Sequence, residues 1–284
     1  TTIGDGKGAG AGIGTGGSLG TGSGGKATVE ISGGTIFAKS ENGADIGGGG
    51  TNSNTTGVGG VGIVTITGGN IEALTGGIGG GKAYAGAGGE ATVTISGGTI
   101  NATAIGGGNS TSGKGGDATV TVSGTANVTL TNGIGGGVSN KKDGGDATVT
   151  VEGGSLICGS VIGGGNSATT NGGDATVKVT GGYLKSYSIG GGSGGTAANA
   201  SGGKADINIS GGTIVTGTIG GGNTSSTTGS IGFAKAVITG GDITGQFIMA
   251  KGANEPCTFN MSGGTLHGLD TSVTSFPYKN GGAV

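Results

Sequence analysis

The amino-acid sequence predicts an all-β fold, a right-handed parallel β-helix (β-solenoid) of about nine coils of ~28 residues, with three short strands per coil and no helices. Three observations predict it. The block GG-x-A-T-V-x-[IV]-S-G-G recurs, and the residue before its second Gly pair falls at Ser32, Thr67, Ser96, Ser123, Glu152, Thr180, Ser210, Thr239 and Ser262. A second landmark, the Ile of I-G-G-G, keeps the same register at Ile46, Ile78, Ile105, Ile134, Ile162, Ile189 and Ile219, with outliers at Ile13 and Ile248. Within a unit the apolar residues alternate with polar ones, and nothing has helical period.

The unit spanning residues 88–109 illustrates each element. Ala91, Val93 and Ile95 alternate with Thr92, Thr94 and Ser96, the period of a half-buried strand. Gly97 and Gly98 break the alternation and supply a tight corner. Thr99–Ala102 forms a second short strand, and Ile105 leads a third straight piece into Gly106, Gly107 and Gly108. A β-sandwich would need antiparallel hairpins of varied pattern, which strict repetition argues against. Stacking at the strand spacing of ~4.8 Å gives a rod roughly 45 Å long. The right hand follows from the general preference of parallel crossovers.

The organisation divides into an incomplete Gly-rich first coil (1–23), the repetitive solenoid (24–252) and a divergent C-terminal coil or cap (253–284). Around that last boundary small residues give way to Phe233, Phe247, Met249, Met261, Leu266, Phe276 and Pro277, as expected of a hydrophobic cover over the final edge.

Composition narrows the function classes. There are 82 glycines but only 2 prolines in 284 residues, which excludes collagen, and an apolar fraction of 31% arranged in blocks excludes a flexible linker. Net charge is −2 with no arginine, so no nucleic-acid partner is expected. No apolar run approaches the ~20 residues that span a bilayer, and Thr1 opens the chain without a signal-like segment.

With GGDATVTVSG, SGGTINATAIGGGN and GAGIGTGG in view, the chain resembles the glycine-rich repeat regions of large secreted or wall-anchored, adhesin-like surface proteins of gut Firmicutes, over residues 1–252. More loosely it resembles bacterial carbohydrate-binding β-helix proteins. The resemblance implies an extracellular, bacterial cell-surface location and a non-catalytic display or adhesive role. The partner would be a host or bacterial surface glycan or protein, with end-to-end or side-by-side self-association as a further option. Neither family transfers a catalytic signature to this chain.

Four groups of residues are candidates for chemistry. Glu90, Asp117, Asp146 and Asp174 form an acidic column before the first strand. Carboxylates ~5 Å apart repel one another, and calcium is the natural relief; a solvated row tempered by Lys114, Lys141 and Lys142 is the alternative. The T-x-T pairs Thr92/Thr94, Thr119/Thr121 and Thr148/Thr150 suggest an ice-binding array, which charged neighbours such as Glu30 and Lys178 interrupt. The G-G-G column reads either as crowded backbone that admits no Cβ or as a smooth face for another chain or glycan. The loops after each triplet, at 109–114, 138–143, 166–171 and 223–230, leave one corner, where solenoids bind partners.

Asn109, Asn166 and Asn223 at the loop bases are candidate ligand contacts or a stacked Asn ladder, and Tyr183 and Tyr187 form the best aromatic patch. Catalysis has little to work with. His267 is the only histidine and has no nucleophile motif beside it, and the acidic residues form a regular column instead of one paired site. Cys158 and Cys257, four coils apart, read as buried small hydrophobes and not a disulfide.

Overall fold

The computed structural model describes residues 2–6, 8–52, 56–250, 257–268 and 281–283. Among these are 23 strands and no helix, joined in one sheet that winds through about eight turns of a parallel β-solenoid. Among the described residues one pairing is antiparallel, Gly281–Ala283 against Ile248–Ala250.

One turn contains a first strand, Ala91–Ile95, a second, Thr99–Ala102, and a short third, Ile105–Gly106. Each pairs residue for residue with its equivalent one turn on, at Ala118–Val122, Asn127–Leu130 and Ile134–Gly135. The inward residues of this turn, Ala91, Val93, Ile95, Ile100, Ala102 and Ile105, are each at most 4% exposed. Stacked on their equivalents they form one continuous apolar column from Ile31 to Phe247. A parallel ladder brings equivalent residues together, so Val93 stacks on Val120 and Ile105 on Ile134, β-branched side chain on β-branched side chain.

The corner between first and second strands is made by the second glycine of each pair, for example Gly98 at φ 88°. Side chains rarely adopt that backbone.

The ends continue the pattern. Thr2–Gly6 lies on Ile36–Ser40 as a second strand and Ile13–Gly14 on Ile46–Gly47 as a third. Thr258–His267 stacks in parallel on Lys235–Thr244, so the solenoid runs past the compositional change at residue 253. Phe247 pairs with Ile219, while Ile248 pairs with Gly220. The last third-strand landmark is therefore Phe247 and not Ile248: the ring is the residue that enters the core, 2% exposed, with Phe259 edge-on at 4.8 Å. Phe233 and Leu266 are half-buried and Met261 is 38% exposed. The cap residues Phe276 and Pro277 lie outside the described residues, as does the side chain of Met249.

Candidate functional site

The glycine triplet is built for two separate reasons. Its first residue, such as Gly106 at φ 142°, has a backbone that disfavours any side chain. Its second and third are packed against backbone. A Cβ on Gly107 would fall on the carbonyl oxygen of Gly116, and one on Gly108 on that of Gly81. The Gly pair before each first strand is held likewise, Gly116 against Gly89.

The two extended glycine segments are cross-linked by a staircase of hydrogen bonds. Gly108 N–H donates to Gly89 O at 2.8 Å, Gly116 N–H to Gly108 O at 2.9 Å, and Gly137 N–H to Gly116 O at 2.8 Å. The series continues to Gly232 N–H on Gly222 O, 2.8 Å. Along this staircase side chains fill one half of the turn and close-packed glycine backbone closes the other. The crowded-backbone alternative holds for the inner side of the triplet.

On the outer side the middle glycines floor a groove of about 380 Å³. Thr75, Thr103, Asn132 and Ser160 border it with Lys82, Asn109, Val138 and Asn166. A second groove follows along the same corner, bordered by Tyr187, Ser193 and Asn223.

The asparagines do not form a continuous ladder. Val138 stands between Asn109 and Asn166 in the stack, and Ser193 between Asn166 and Asn223. The Oδ1 of Asn109 accepts the N–H of Val138 at 2.8 Å, and that of Asn166 accepts Ser193 N–H at 2.8 Å. Asn223 Oδ1 accepts from its neighbour Thr224. Each caps a loop base through Oδ1, and among the described residues its amide nitrogen meets no partner.

The polar column that does run from turn to turn is one of hydroxyls, three turns deep between the positions held by Ala83 and Gly194. Ser110, Ser139 and Ser167 are 3%, 0% and 5% exposed. Ser139 Oγ donates to Gly113 O in the preceding loop at 2.7 Å and accepts Lys142 N–H of its own at 2.9 Å. Ser110 and Ser167 repeat the arrangement. Successive loops are also joined main chain to main chain, Asn140 N–H to Ser110 O at 3.2 Å and Ala168 N–H to Ser139 O at 2.9 Å. The loops at 82–87, 109–114, 138–143 and 166–171 have equal length, which is what lets them stack. Thr51 and Thr224 occupy the same position, five residues after the landmark Ile. That spacing, G-G-G-x-[ST], was the signal in the sequence.

The acidic column lines a shallow groove of about 480 Å³ with Thr92, Thr119, Thr148 and Thr176. Asp117 Oδ1 accepts the N–H of Asp146 at 2.8 Å, Asp146 that of Asp174 at 2.8 Å, and Asp174 that of Lys204 at 2.7 Å. Lys114 Nζ lies 3.0 Å from both Asp117 and Asp146. Burial pulls the Lys114 pKa down, but the hydrogen bonds and charges of the two carboxylates outweigh it, and the net shift is upward. Among the described residues no group of three or more His, Cys, Asp or Glu side chains converges on one point. The donor set thus does not fit a calcium cage, which takes six to eight oxygens. Backbone N–H groups and one ammonium supply the relief expected of a cation.

Sequence reasoning missed Asp45. It is 0% exposed, and its carboxylate accepts N–H groups from Ser40 at 2.6 Å, Thr75 at 2.8 Å and Gly77 at 3.1 Å, tying two turns together. A lone Asp before an I-G-G-G landmark carried no periodic signal.

The remaining candidates are dispersed. Tyr183, Lys185 and Tyr187 alternate outward along one strand, so a lysine separates the rings, and Tyr187 borders the second groove. His267 Nε2 lies 2.9 Å from Asp242 Oδ1, both more than half exposed. Cys158 is buried and its thiol donates to Asn132 O at 3.0 Å. Cys257 sits over Ala234 at the edge of the core. Both are free.

No protein-family model matches the chain, and no curated protein or solved structure matches it. No helix among the described residues is long and apolar enough to cross a membrane.

Proposed function

We propose that the chain is a non-catalytic structural and adhesive module, a rigid segment of an extracellular bacterial surface protein that presents its loops along one edge. The observation that carries this reading is the loop stack. Four equal loops are locked to one another by buried serine hydroxyls and main-chain bonds, so exposed Asn140, Lys141 and Lys142 are held at fixed spacing from their neighbours. A preorganised surface of this kind loses little entropy on binding. The location on the cell surface rests on the resemblance of the repeat to secreted and wall-anchored proteins.

Beads coated with the purified chain test it. They should adhere to a bacterial or host cell surface, and adhesion should fall with Lys141→Ser and Lys142→Ser but not with Thr119→Ser on another face. Failure to adhere, together with release of sugars from a polysaccharide, would overturn the reading.

A second reading is favoured by the glycine-floored groove: binding of an extended glycan, without calcium, against Asn109, Asn166 and the neighbouring hydroxyls. Binding on a glycan array that resists chelator and is lost in Asn109→Ala with Asn166→Ala would support it.

A further inference from the structure

The chain holds four Asn-Gly dipeptides, at Asn42, Asn132, Asn171 and Asn280, and the last lies outside the described residues. In any such pair the missing Cβ of glycine lets its backbone nitrogen approach the preceding side-chain amide. What distinguishes the three described pairs is how firmly each nitrogen and amide is held.

At Asn42 the side-chain Nδ2 donates to Gly8 O at 2.9 Å, and Gly43 N–H donates to Ser40 Oγ at 2.8 Å. At Asn171 the Oδ1 accepts Ser201 N–H at 2.9 Å, and Gly172 N–H donates to Ser201 O at 2.9 Å. In both pairs the nucleophile and the electrophile are fixed in hydrogen bonds of the stack. Asn132 differs. Its main chain is anchored, N–H to Thr103 O at 2.8 Å and O to the thiol of Cys158 at 3.0 Å. Its exposed side-chain amide and the N–H of Gly133 have no protein partner among the described residues.

We propose that Asn132–Gly133 is a site of spontaneous, structure-selected deamidation. The Gly133 nitrogen loses its proton to solvent base and attacks Cγ of Asn132. A C–N bond forms, the bond from Cγ to Nδ2 breaks, and Nδ2 leaves as ammonia, closing a succinimide ring. Water then opens either ring carbonyl and leaves an aspartyl or an isoaspartyl residue, with no change of oxidation state. Either product places a carboxylate on the wall of the glycine-floored groove, which Asn132 and Gly133 line. The isoaspartyl product also adds one carbon to the main chain just before Ile134, a core residue 1% exposed. The groove would so acquire charge with age without any enzyme.

The test is ageing of the purified full chain at mildly alkaline pH, with peptide mapping by mass spectrometry for species one mass unit heavier and chromatographic separation of the two products. The folded chain should modify Asn132 severalfold faster than Asn42 or Asn171, and Asn132→Gln should remove that signal. In concentrated urea the three sites should converge in rate, because the hydrogen bonds that protect two of them are gone. Equal rates in the folded chain, an intact Asn132, or the same preference for Asn132 in urea would each overturn the proposal.

Discussion

The ammonium of Lys114 lies 3.0 Å from the carboxylate of Asp146, one turn further along the solenoid, while also touching Asp117 of its own turn. A loop lysine thereby bridges two members of a column in which Asp117, Asp146 and Asp174 each accept one backbone N–H through Oδ1.

The first prediction concerns calcium. Because Lys114 and backbone N–H groups already engage Asp117, Asp146 and Asp174, the midpoint of thermal unfolding should be the same in calcium and in excess chelator, whereas binding to the folded state would raise it. Asp146→Ala should cost about 1 kcal/mol, the range of an exposed pair plus one hydrogen bond. Asp146→Asn, which keeps the acceptor, should cost less.

The hydroxyl column gives a second. Ser139→Ala removes a buried donor to Gly113 O and an acceptor for Lys142 N–H. Leaving those groups unpaired should destabilise by about 1–3 kcal/mol in chemical denaturation. Hydrogen exchange should quicken at Lys141 and Lys142 first, the two amides that donate to that hydroxyl. Unchanged exchange would mean that loop stacking does not depend on the hydroxyl.

A third follows from Cys158, whose thiol burial pushes up to about 11 from the ordinary 9.0. The native state therefore holds the proton more tightly than the unfolded chain. The resulting stability is fully present below pH 9 and is lost as pH rises toward 11. Stability should fall by roughly 2–3 kcal/mol over that window, and Cys158→Ala should flatten the loss. The folded protein should label slowly at Cys158 with a thiol reagent at neutral pH.

The fourth concerns water ordering. Thr65, Thr94, Thr121 and Thr150 form one rank in register and Thr92, Thr119, Thr148 and Thr176 another. Ile63, Glu30, Lys178 and Asp206 bound them on the same face. So small and interrupted a patch should give no thermal hysteresis at high protein concentration. A measurable hysteresis abolished by Thr119→Val would contradict this.

The fold was legible because a solenoid writes its geometry as a period. Ala91, Val93 and Ile95 announce a strand, and their recurrence at Ala118, Val120 and Val122 announces the stacking. The site was less legible. Equal loop lengths were visible, but that Ser139 turns inward depends on a carbonyl from another turn. Asp45 and the free N–H of Gly133 are single events that repetition cannot reveal. The asparagines looked like a ladder because they recur, yet they occupy alternate turns.

From Gly49 to Gly232, close-packed glycine backbone and not side chains closes half of each turn. Thermal unfolding by circular dichroism of Gly116→Ala beside Gly33→Ala tests it most directly. A Cβ at Gly116 would strike the Gly89 carbonyl, whereas one at Gly33 meets nothing within 4 Å. Gly116→Ala should lose about 3 kcal/mol or more, an overpacking penalty with no room to relax, while Gly33→Ala should match the parent. Equal midpoints for the two variants would contradict it.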